Sequence, residues 1–186
     1  MIGYAFCGSF CTLAASLGAL RSLREQGWEV LPILSESVFD TDTRFFLAAE
    51  FRNEVERLCG RPVIHTIVDA EPLGPRTPLD LLIVAPCTGN TLAKLAHGIT
   101  DTPVTMAVKA HSRTGRPVLL APASNDALSA NLQNLALLSM RKNFFLVPMR
   151  QDDPCAKPSS LVADFSRIPD AFAAAREGKQ LRPLFL

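Results

Sequence analysis

The chain lacks the features that mark membrane-spanning, nucleic-acid-binding and exported proteins. No apolar run in it approaches the ~20 residues that span a bilayer. An excess of one charge is also lacking, because 19 Lys and Arg face 18 Asp and Glu. The resulting net charge of +1 predicts no general attraction to nucleic acid or to a membrane surface. Residues 1–20 are apolar but lack the basic start of a signal peptide. These absences favour a compact, enzyme-like domain.

The cysteines are scattered along the chain. An odd number of thiols without regular spacing argues against a disulfide framework and favours reduced cysteines in the cytoplasm. None of the five lies beside another thiol or an imidazole at a spacing typical of zinc ligands, so no metal site is predicted. The five are Cys7, Cys11, Cys59, Cys87 and Cys155.

Three common nucleotide and hydrolase motifs are missing. Gly8 is followed by Ser9 and Phe10, not by the Gly-x-Gly-x-x-Gly turn of dinucleotide-binding folds. The second expected strand ends at Ser35, where those folds place an acidic residue for the ribose. The chain has no Gly-x-x-x-x-Gly-Lys-Ser/Thr loop, and Ser9 lies in no Gly-x-Ser-x-Gly elbow. An NAD site, a nucleoside triphosphatase and a serine hydrolase are therefore disfavoured.

Apolar strand patterns alternate with helical patterns along the whole chain. This alternation predicts an α/β fold with a parallel, doubly wound sheet in a single domain, residues 1–186. A proline-rich linker is expected over 69–79 and a long polar loop over 149–160. The expected strands cover residues 2–6, 28–34, 63–68, 81–85, 117–121 and 144–148, and the expected helices residues 12–26, 45–59, 90–98, 103–111, 127–140 and 168–177.

Small polar residues follow four of the expected strands. They are Gly8-Ser9, Ser35, the segment 88–91 (Thr-Gly-Asn-Thr) and Ser124-Asn125. In open α/β sheets ligands bind beyond the carboxyl ends of the strands. Neutral hydroxyl and amide donors beside glycine suit a phosphate and a polyol chain. The pattern therefore predicts a site for a phosphate-bearing cofactor, with the start of the helix after residue 88 facing the anion.

One long motif resembles a known family. Residues 85–101, Ala-Pro-Cys-Thr-Gly-Asn-Thr-Leu-Ala-Lys-Leu-Ala-His-Gly-Ile-Thr-Asp, are similar to the A-P-x-T-x-N-x-x-A-K-x-A-x-G-x-x-D signature of FMN-binding flavoproteins. That family includes phosphopantothenoylcysteine decarboxylases, peptidyl-cysteine decarboxylases and flavin prenyltransferases. Within it the chain most resembles the subfamily of dipicolinate synthase B subunits. The segments that carry this closer resemblance are 70–75, 78–80, 102–104, 124–128, 151–154 (Gln-Asp-Asp-Pro) and 157–158.

The resemblance implies a Rossmann-like, flavodoxin-type three-layer sandwich that binds FMN. It also implies assembly as a homo-trimer or a dodecamer, with the flavin near a contact between copies. The expected helix over 127–140 is too apolar to bury all of its surface on one sheet, which agrees with such a contact. Its apolar residues include Leu132, Leu135, Leu137, Leu138 and Met140. The positions that match flavin-contacting residues of the family are Gly8, Ser9, Phe10, Ser35, Pro86, Thr88, Asn90, Thr91, Ala121, Ser124 and Asn125.

The subfamily resemblance implies a flavin-dependent oxidoreductase subunit. Its reaction would oxidise a dihydrodipicolinate-type intermediate to dipicolinate during sporulation. The implied partner is a dehydrogenase similar to dipicolinate synthase A subunits, which would carry the nicotinamide site. No catalytic base can be assigned from the sequence. Two alternatives therefore stay open: a non-catalytic flavin-binding subunit that supports the partner, and a decarboxylase.

The chain departs from the decarboxylases in the residues they use for chemistry. No histidine lies between residues 1 and 61, and Cys155 lies in a segment without the glycines of their flap. We expect His65 to be structural, His97 to lie at the surface or to interact with the dipole at the C-terminal end of its helix, and His111 to be solvated. A dicarboxylate substrate requires cations, and Arg150 and Lys157 flank the loop 149–160, which we expect to be a substrate lid. Its alternative role is an ordered connector, and Asp152 and Asp153 are expected to form turns.

Overall fold

A mostly parallel sheet forms the middle layer of the protein. The computed structural model describes all residues, 1–186. The parallel strands lie side by side in the order β2-β1-β3-β4-β5. The predicted α/β fold with a parallel sheet is thereby confirmed. The strands are β1 (Ile2–Phe6), β2 (Val30–Leu34), β3 (Leu82–Cys87), β4 (Val118–Ser124) and β5 (Phe144–Leu146).

Helices cover both faces of this sheet. They are α1 (Leu13–Glu25), α2 (Glu36–Asp40), α3 (Ala48–Cys59), α4 (Ile67–Ala70), α5 (Gly89–His97), α6 (Pro103–Ser112), α7 (Leu132–Ser139) and α8 (Ile168–Arg176). One apolar cluster joins a sheet face to α1, α3 and α8, and a second joins the other face to α4, α5, α6 and α7. The result is a three-layer sandwich.

Strand residues supply the two clusters alternately, as the pleat of a strand requires. Tyr4 and Phe6 of β1 enter the first cluster, whereas Ala5 enters the second. The Tyr4 hydroxyl donates to the carbonyl of Ser16 at 2.9 Å, and the Ser16 hydroxyl donates to the carbonyl of Ala85 at 2.6 Å. These buried hydrogen bonds join α1 to β1 and β3, and so fix the strand ends that carry the polar residues.

The strand predicted over 63–68 is wrong. Only Ile64 makes a bridge, to Ile33, and α4 begins at Ile67. The reason is a helix cap within the apolar stretch: Thr66 Oγ1 accepts a hydrogen bond from the amide of Asp69 at 3.1 Å, so a helix begins where the strand was predicted to continue. The proposed linker over 69–79 is also part of the packed structure, because Leu73 and Leu79 are buried.

Two predicted helices begin later than expected because polar turns precede them. The helix predicted from residue 45 begins at Ala48, whose amide donates to Asp42 Oδ1 at 2.8 Å. The helix predicted from residue 127 begins at Leu132, after turns in which the amides of Ser129 and Asn131 donate to the carbonyl of Asp126. The short helix α2 has no counterpart among the predicted elements.

The segment predicted as a long loop, 149–160, begins as a hairpin strand. Strand β6 (Met149–Arg150) pairs antiparallel with β7 (Leu161–Ala163), and β7 pairs antiparallel with the end of β4. The loop proper therefore covers 151–160 and lies beside the carboxyl end of β4. His111 is fully buried, against our expectation, because its Nε2 lies 3.0 Å from the carbonyl of Pro117.

Candidate functional site

The start of α5 is the centre of the site. Thr88 caps this helix, and its Oγ1 accepts a hydrogen bond from the amide of Thr91 at 3.3 Å. Gly89 follows, where any side chain would collide: a Cβ there would lie 2.7 Å from Asn131 Nδ2, 2.8 Å from Asp126 Oδ1 and closer still to Ser124 Oγ. Glycine is required here by close approach, and it brings β3, β4 and the turn before α7 together.

A cleft of about 730 Å³ opens beside this helix start, over the carboxyl ends of β1, β3 and β4. Its volume lies in the range typical of small-molecule and cofactor sites. Glycine, hydroxyl and amide groups and the carboxylate of Asp126 form its inner wall, and the other charged side chains lie with Phe45 on its outer rim. The cleft is lined by Gly8, Ser9, Phe10, Cys11, Thr12, Arg44, Phe45, Thr88, Gly89, Asn90, Ala123, Ser124, Asn125, Asp126, Asp152, Lys157, Ser160 and Val162.

A smaller cavity of about 200 Å³ adjoins the cleft. Gly8, Thr88 and Asn90 line both, so the two share one wall. A Cβ at Gly8 would lie 2.7 Å from Ser37 Oγ, so a side chain there would displace the Ser37 hydroxyl from this wall. The smaller cavity is rich in hydroxyl groups and is lined by Cys7, Gly8, Ser35, Glu36, Ser37, Thr88, Asn90, Thr91, Lys94, Thr102 and Val104.

The thiols beside the smaller cavity are neutral. Burial raises the pKa of Cys7 to about 11, although the hydrogen bond from Thr91 Oγ1, with the oxygen 3.4 Å from Sγ, opposes the rise. Burial also raises the pKa of Cys87 well above its ordinary value. Because the thiolate is the nucleophile, neither thiol is activated for covalent chemistry near neutral pH.

Asp126 supplies a carboxylate to the floor of the cleft. Ser124 Oγ donates to its Oδ1, and Asn131 Nδ2 donates to its Oδ2 at 2.8 Å. Asn134 Nδ2 donates in turn to Asn131 Oδ1 at 2.9 Å, and both asparagines are buried. Neutral donors therefore fix the orientation of this carboxylate beside the first turn of α5.

Two loops form the rim of the cleft. Arg44 and Phe45 come from the turn before α3, and the Arg44 guanidinium lies 4.8 Å from the centre of the Phe45 ring. Asp152 and Lys157 come from the hairpin loop and form an exposed ion pair, which holds the pKa of Lys157 above its usual value. Three of the four charged side chains of the cleft therefore lie on its rim.

The structure brings most of the residues predicted from the sequence to these two cavities. Neither Pro86 nor Ala121 lines them, because both are buried within β3 and β4. Arg150 does not line them either; it is exposed on β6, while Lys157 lines the cleft. The nine predicted cofactor residues that do line a cavity are Gly8, Ser9, Phe10, Ser35, Thr88, Asn90, Thr91, Ser124 and Asn125.

Asp126, Arg44 and Phe45 are among the cleft side chains that sequence reasoning missed. Asp126 follows directly on Ser124-Asn125, so that motif could have indicated it. Arg44 and Phe45 carry no signal, because they reach the cleft only through the turn before α3. None of the three histidines lines either cavity. His65 instead stacks on Phe39, with ring centres 3.8 Å apart.

Comparison with known proteins agrees with this geometry. A family model described as Flavoprotein matches residues 5–170. The chain is 44% identical over 185 residues to the B subunit of dipicolinate synthase from Bacillus subtilis (strain 168), a match that covers 100% of this chain and 92% of that protein. No helix is both long and apolar enough to cross a membrane.

Solved structures extend the similarity to the fold. The crystal structure of the dipicolinate synthase B subunit from Bacillus halodurans C superposes with a TM-score of 0.91 and 39% identity, over 100% of this chain and 95% of that one. The FMN-dependent cysteine decarboxylase SpaF superposes with a TM-score of 0.69 at 22% identity, over 94% and 95% of the two chains. The predicted flavodoxin-like fold is confirmed by these matches.

Proposed function

The chain belongs to the Flavoprotein family, and we propose that it is the FMN-binding subunit of a dipicolinate synthase. The observation that carries this proposal is the pair of adjoining cavities at the carboxyl edge of the sheet, which share Gly8, Thr88 and Asn90. A small cavity rich in hydroxyls beside a larger cleft suits a ligand with a phosphate at one end and a ring system at the other.

The smaller cavity fits the phosphate and the start of the ribityl chain. Ser35, Ser37, Thr88 and Thr91 offer neutral hydroxyl donors there. Two charged side chains also line this cavity: Lys94, which is paired with Asp101 at 2.8 Å, and Glu36. Gly8 and Gly89 allow backbone to approach closely, because a Cβ at either position would overlap neighbouring polar atoms.

The larger cleft fits the flavin ring. Phe10 and Phe45 offer aromatic surface, and Asn90, Ser124 and Asn125 offer donors and acceptors along its edge. Bound FMN would supply two-electron redox chemistry, which no side chain of this cleft can supply alone. The residues of the chain would hold the ring, orient a substrate against it and exclude water beneath the hairpin loop 151–160.

We propose that the substrate is a dihydrodipicolinate-type intermediate and that the product is dipicolinate. The relative in Bacillus subtilis is named as the B component of its enzyme, so a dehydrogenase similar to dipicolinate synthase A subunits is the expected partner of this chain. The nicotinamide site would lie on that partner, because this chain has no dinucleotide-binding turn after β1. The exposed Leu132, Leu137 and Met140 of the α7 region are the surface we propose for homo-oligomer contacts.

A glycine pair tests the proposed cofactor site. Gly8→Ala places a methyl group 2.7 Å from Ser37 Oγ, whereas the matched control Gly18→Ala, in α1, meets nothing within 4 Å. We expect Gly8→Ala to weaken FMN binding by about tenfold or more, which is about 1.4 kcal/mol. Calorimetric titration of both folded variants with FMN measures the difference in affinity. Equal affinity in the two variants would contradict the placement of FMN against Gly8.

A non-catalytic subunit is the second candidate, favoured by one observation. The only carboxylate on the floor of the cleft, Asp126, is held by Ser124 and Asn131, and no histidine lines the cleft. Anaerobic stopped-flow mixing of the FMN-loaded protein with partner and substrate separates the two candidates. Bleaching of the flavin as fast as turnover supports the catalytic role, and an unchanged flavin spectrum supports the non-catalytic one.

A further inference from the structure

The four charged side chains that line the large cleft differ in how far their charges are already balanced. They are Arg44, Asp126, Asp152 and Lys157. Because charge that has no internal partner is available to a ligand, this difference indicates which residues would recognise an ionic substrate.

Asp126 and the pair on the hairpin loop are satisfied within the protein. Asp126 accepts from Ser124 and Asn131 and lies beside the first turn of α5, where a negative charge is favourable. Lys157 pairs with Asp152 on the same loop. That pair is exposed, and exposed pairs are weak, so a ligand carboxylate can replace Asp152 at little cost.

Arg44 is the one charge in the cleft without a partner. It makes no ion pair and no side-chain hydrogen bond; its only close partner is the ring of Phe45. A guanidinium that stacks on a ring keeps its N–H fork free for a planar carboxylate. The acidic neighbour Asp42 forms no ion pair with Arg44, and its Oδ1 accepts from the amide of Ala48.

The turn that carries Arg44 is held by hydrogen bonds of its own. The amide of Thr43 donates to the carbonyl of Phe46 at 3.0 Å, and the amide of Phe45 donates to Thr43 Oγ1 at 3.2 Å. These hydrogen bonds give the turn a defined conformation, from which the Arg44 guanidinium lines the cleft. The hairpin loop is also held by internal hydrogen bonds, since Asp153 Oδ1 accepts from the amides of Cys155 and Ala156.

We propose that Arg44 and Lys157, from the two loops of the rim, bind the two carboxylates of a planar dicarboxylate substrate in the large cleft. Arg44 takes the first carboxylate without rearrangement, and Lys157 takes the second by exchanging Asp152 for it. The hairpin loop thereby closes over the substrate. This inference rests on the proposed function for the identity of the dicarboxylate, and it replaces Arg150 by Arg44 as the recognition residue.

Two ligands and six variants test the inference. Pyridine-2,6-dicarboxylate and pyridine-2-carboxylate are titrated by calorimetry into the protein with and without FMN. Arg44→Gln should weaken binding of both ligands by about 10- to 100-fold, since it removes a charged hydrogen-bond partner. Arg44→Lys, which keeps the charge and loses the fork, should restore part of that loss. Lys157→Gln should weaken binding of the dicarboxylate alone.

Asp152→Asn provides a change of opposite sign. Freeing Lys157 from its exposed pair should tighten dicarboxylate binding by about two- to fivefold. Arg113→Gln, which removes an equal charge from a residue outside the cleft, is the matched control and should leave both affinities unchanged.

The outcomes separate this inference from the proposed function. If the protein binds FMN but Arg44→Gln leaves the dicarboxylate affinity unchanged, the inference is wrong and the proposed function stands. The same holds if Arg150→Gln costs as much as Arg44→Gln, or if the unaltered protein binds neither pyridine. If the unaltered protein does not bind FMN, the proposed function is wrong. The titrations of the two pyridine ligands without FMN then still decide whether Arg44 binds a carboxylate.

Discussion

The floor and the rim of the large cleft are built in different ways. The floor consists of strand ends and the first turn of α5, where Gly8, Thr88 and Gly89 bring backbone and small side chains close together. The rim consists of two loops that present Arg44 and Lys157. Apart from the carboxylate of Asp126, the floor offers neutral groups that suit a cofactor, and the rim offers charge that suits a substrate. Changes to the floor should therefore affect FMN, and changes to the rim should affect the dicarboxylate.

Gly89→Ala should give the largest effect on the floor. The new methyl group would overlap Asn131 and Asp126, with contacts of 2.7 and 2.8 Å. None of these neighbours can move without breaking the hydrogen bonds around Asp126, so we expect a loss of about 1–3 kcal/mol in the free energy of unfolding. FMN binding should fall with it. Urea unfolding and FMN titration measure both, and an unchanged midpoint would contradict the close approach.

Removal of a helix cap separates stability from cofactor binding. Thr88 caps α5 beside both cavities, and Thr66 caps α4 away from them. Each change to Ala should cost about 1 kcal/mol of stability, because each leaves an amide without its acceptor. Only Thr88→Ala should weaken FMN binding as well. If Thr66→Ala weakens FMN binding equally, the effect comes from general loosening of the fold.

Thiol labelling compares the cleft with the surface. Cys11 and Cys155 are exposed, whereas Cys7, Cys59 and Cys87 are buried, and burial raises the pKa of Cys59 to about 11. We expect the folded protein to react quickly at two thiols, and at all five after unfolding. FMN should slow the reaction of Cys11, which lines the cleft, and leave Cys155 unchanged. Mass spectrometry reads each site, and equal protection of both would contradict this placement.

His111 should give the smallest effect, and it lies outside both cavities. Burial lowers its pKa below the usual value of 6.5. The unfolded chain therefore takes up this proton first as the pH falls below 6.5, and stability declines from there towards the lower folded pKa. In His111→Gln this part of the pH dependence should vanish. Thermal unfolding between pH 7.5 and 5 measures it, and identical slopes for the two proteins would refute the assignment.

The floor could be predicted from the sequence because local patterns determine it. A buried strand followed by Thr88-Gly89-Asn90-Thr91 indicates a strand end and a helix cap, and parallel topology brings such ends to one edge. Only part of the rim could be predicted: the sequence indicated Lys157, whereas Arg44 and Phe45 reach the cleft through tertiary packing. Arg150 shows the same limit: two residues of antiparallel pairing place it on β6 and not on the loop.

Two predicted elements differ from the structure for a related reason. Apolar periodicity over 127–140 predicts a helix through a stretch in which Asp126 organises turns, and over 63–68 it conceals the Thr66 cap. In both places a short polar side chain competes with regular structure for backbone amides. The polar neighbours of His111 favour a solvated ring, but the ring turns inward to the carbonyl of Pro117.

Direct titration of the unaltered protein with FMN tests the central claim most directly. Flavin fluorescence, followed as the protein is added, should change to saturation at one FMN per chain, with a dissociation constant of about 1 μM or below. Circular dichroism on the same sample verifies the fold. A folded protein that leaves flavin fluorescence unchanged at high micromolar concentration would contradict the account, since the two adjoining cavities would then hold some other ligand.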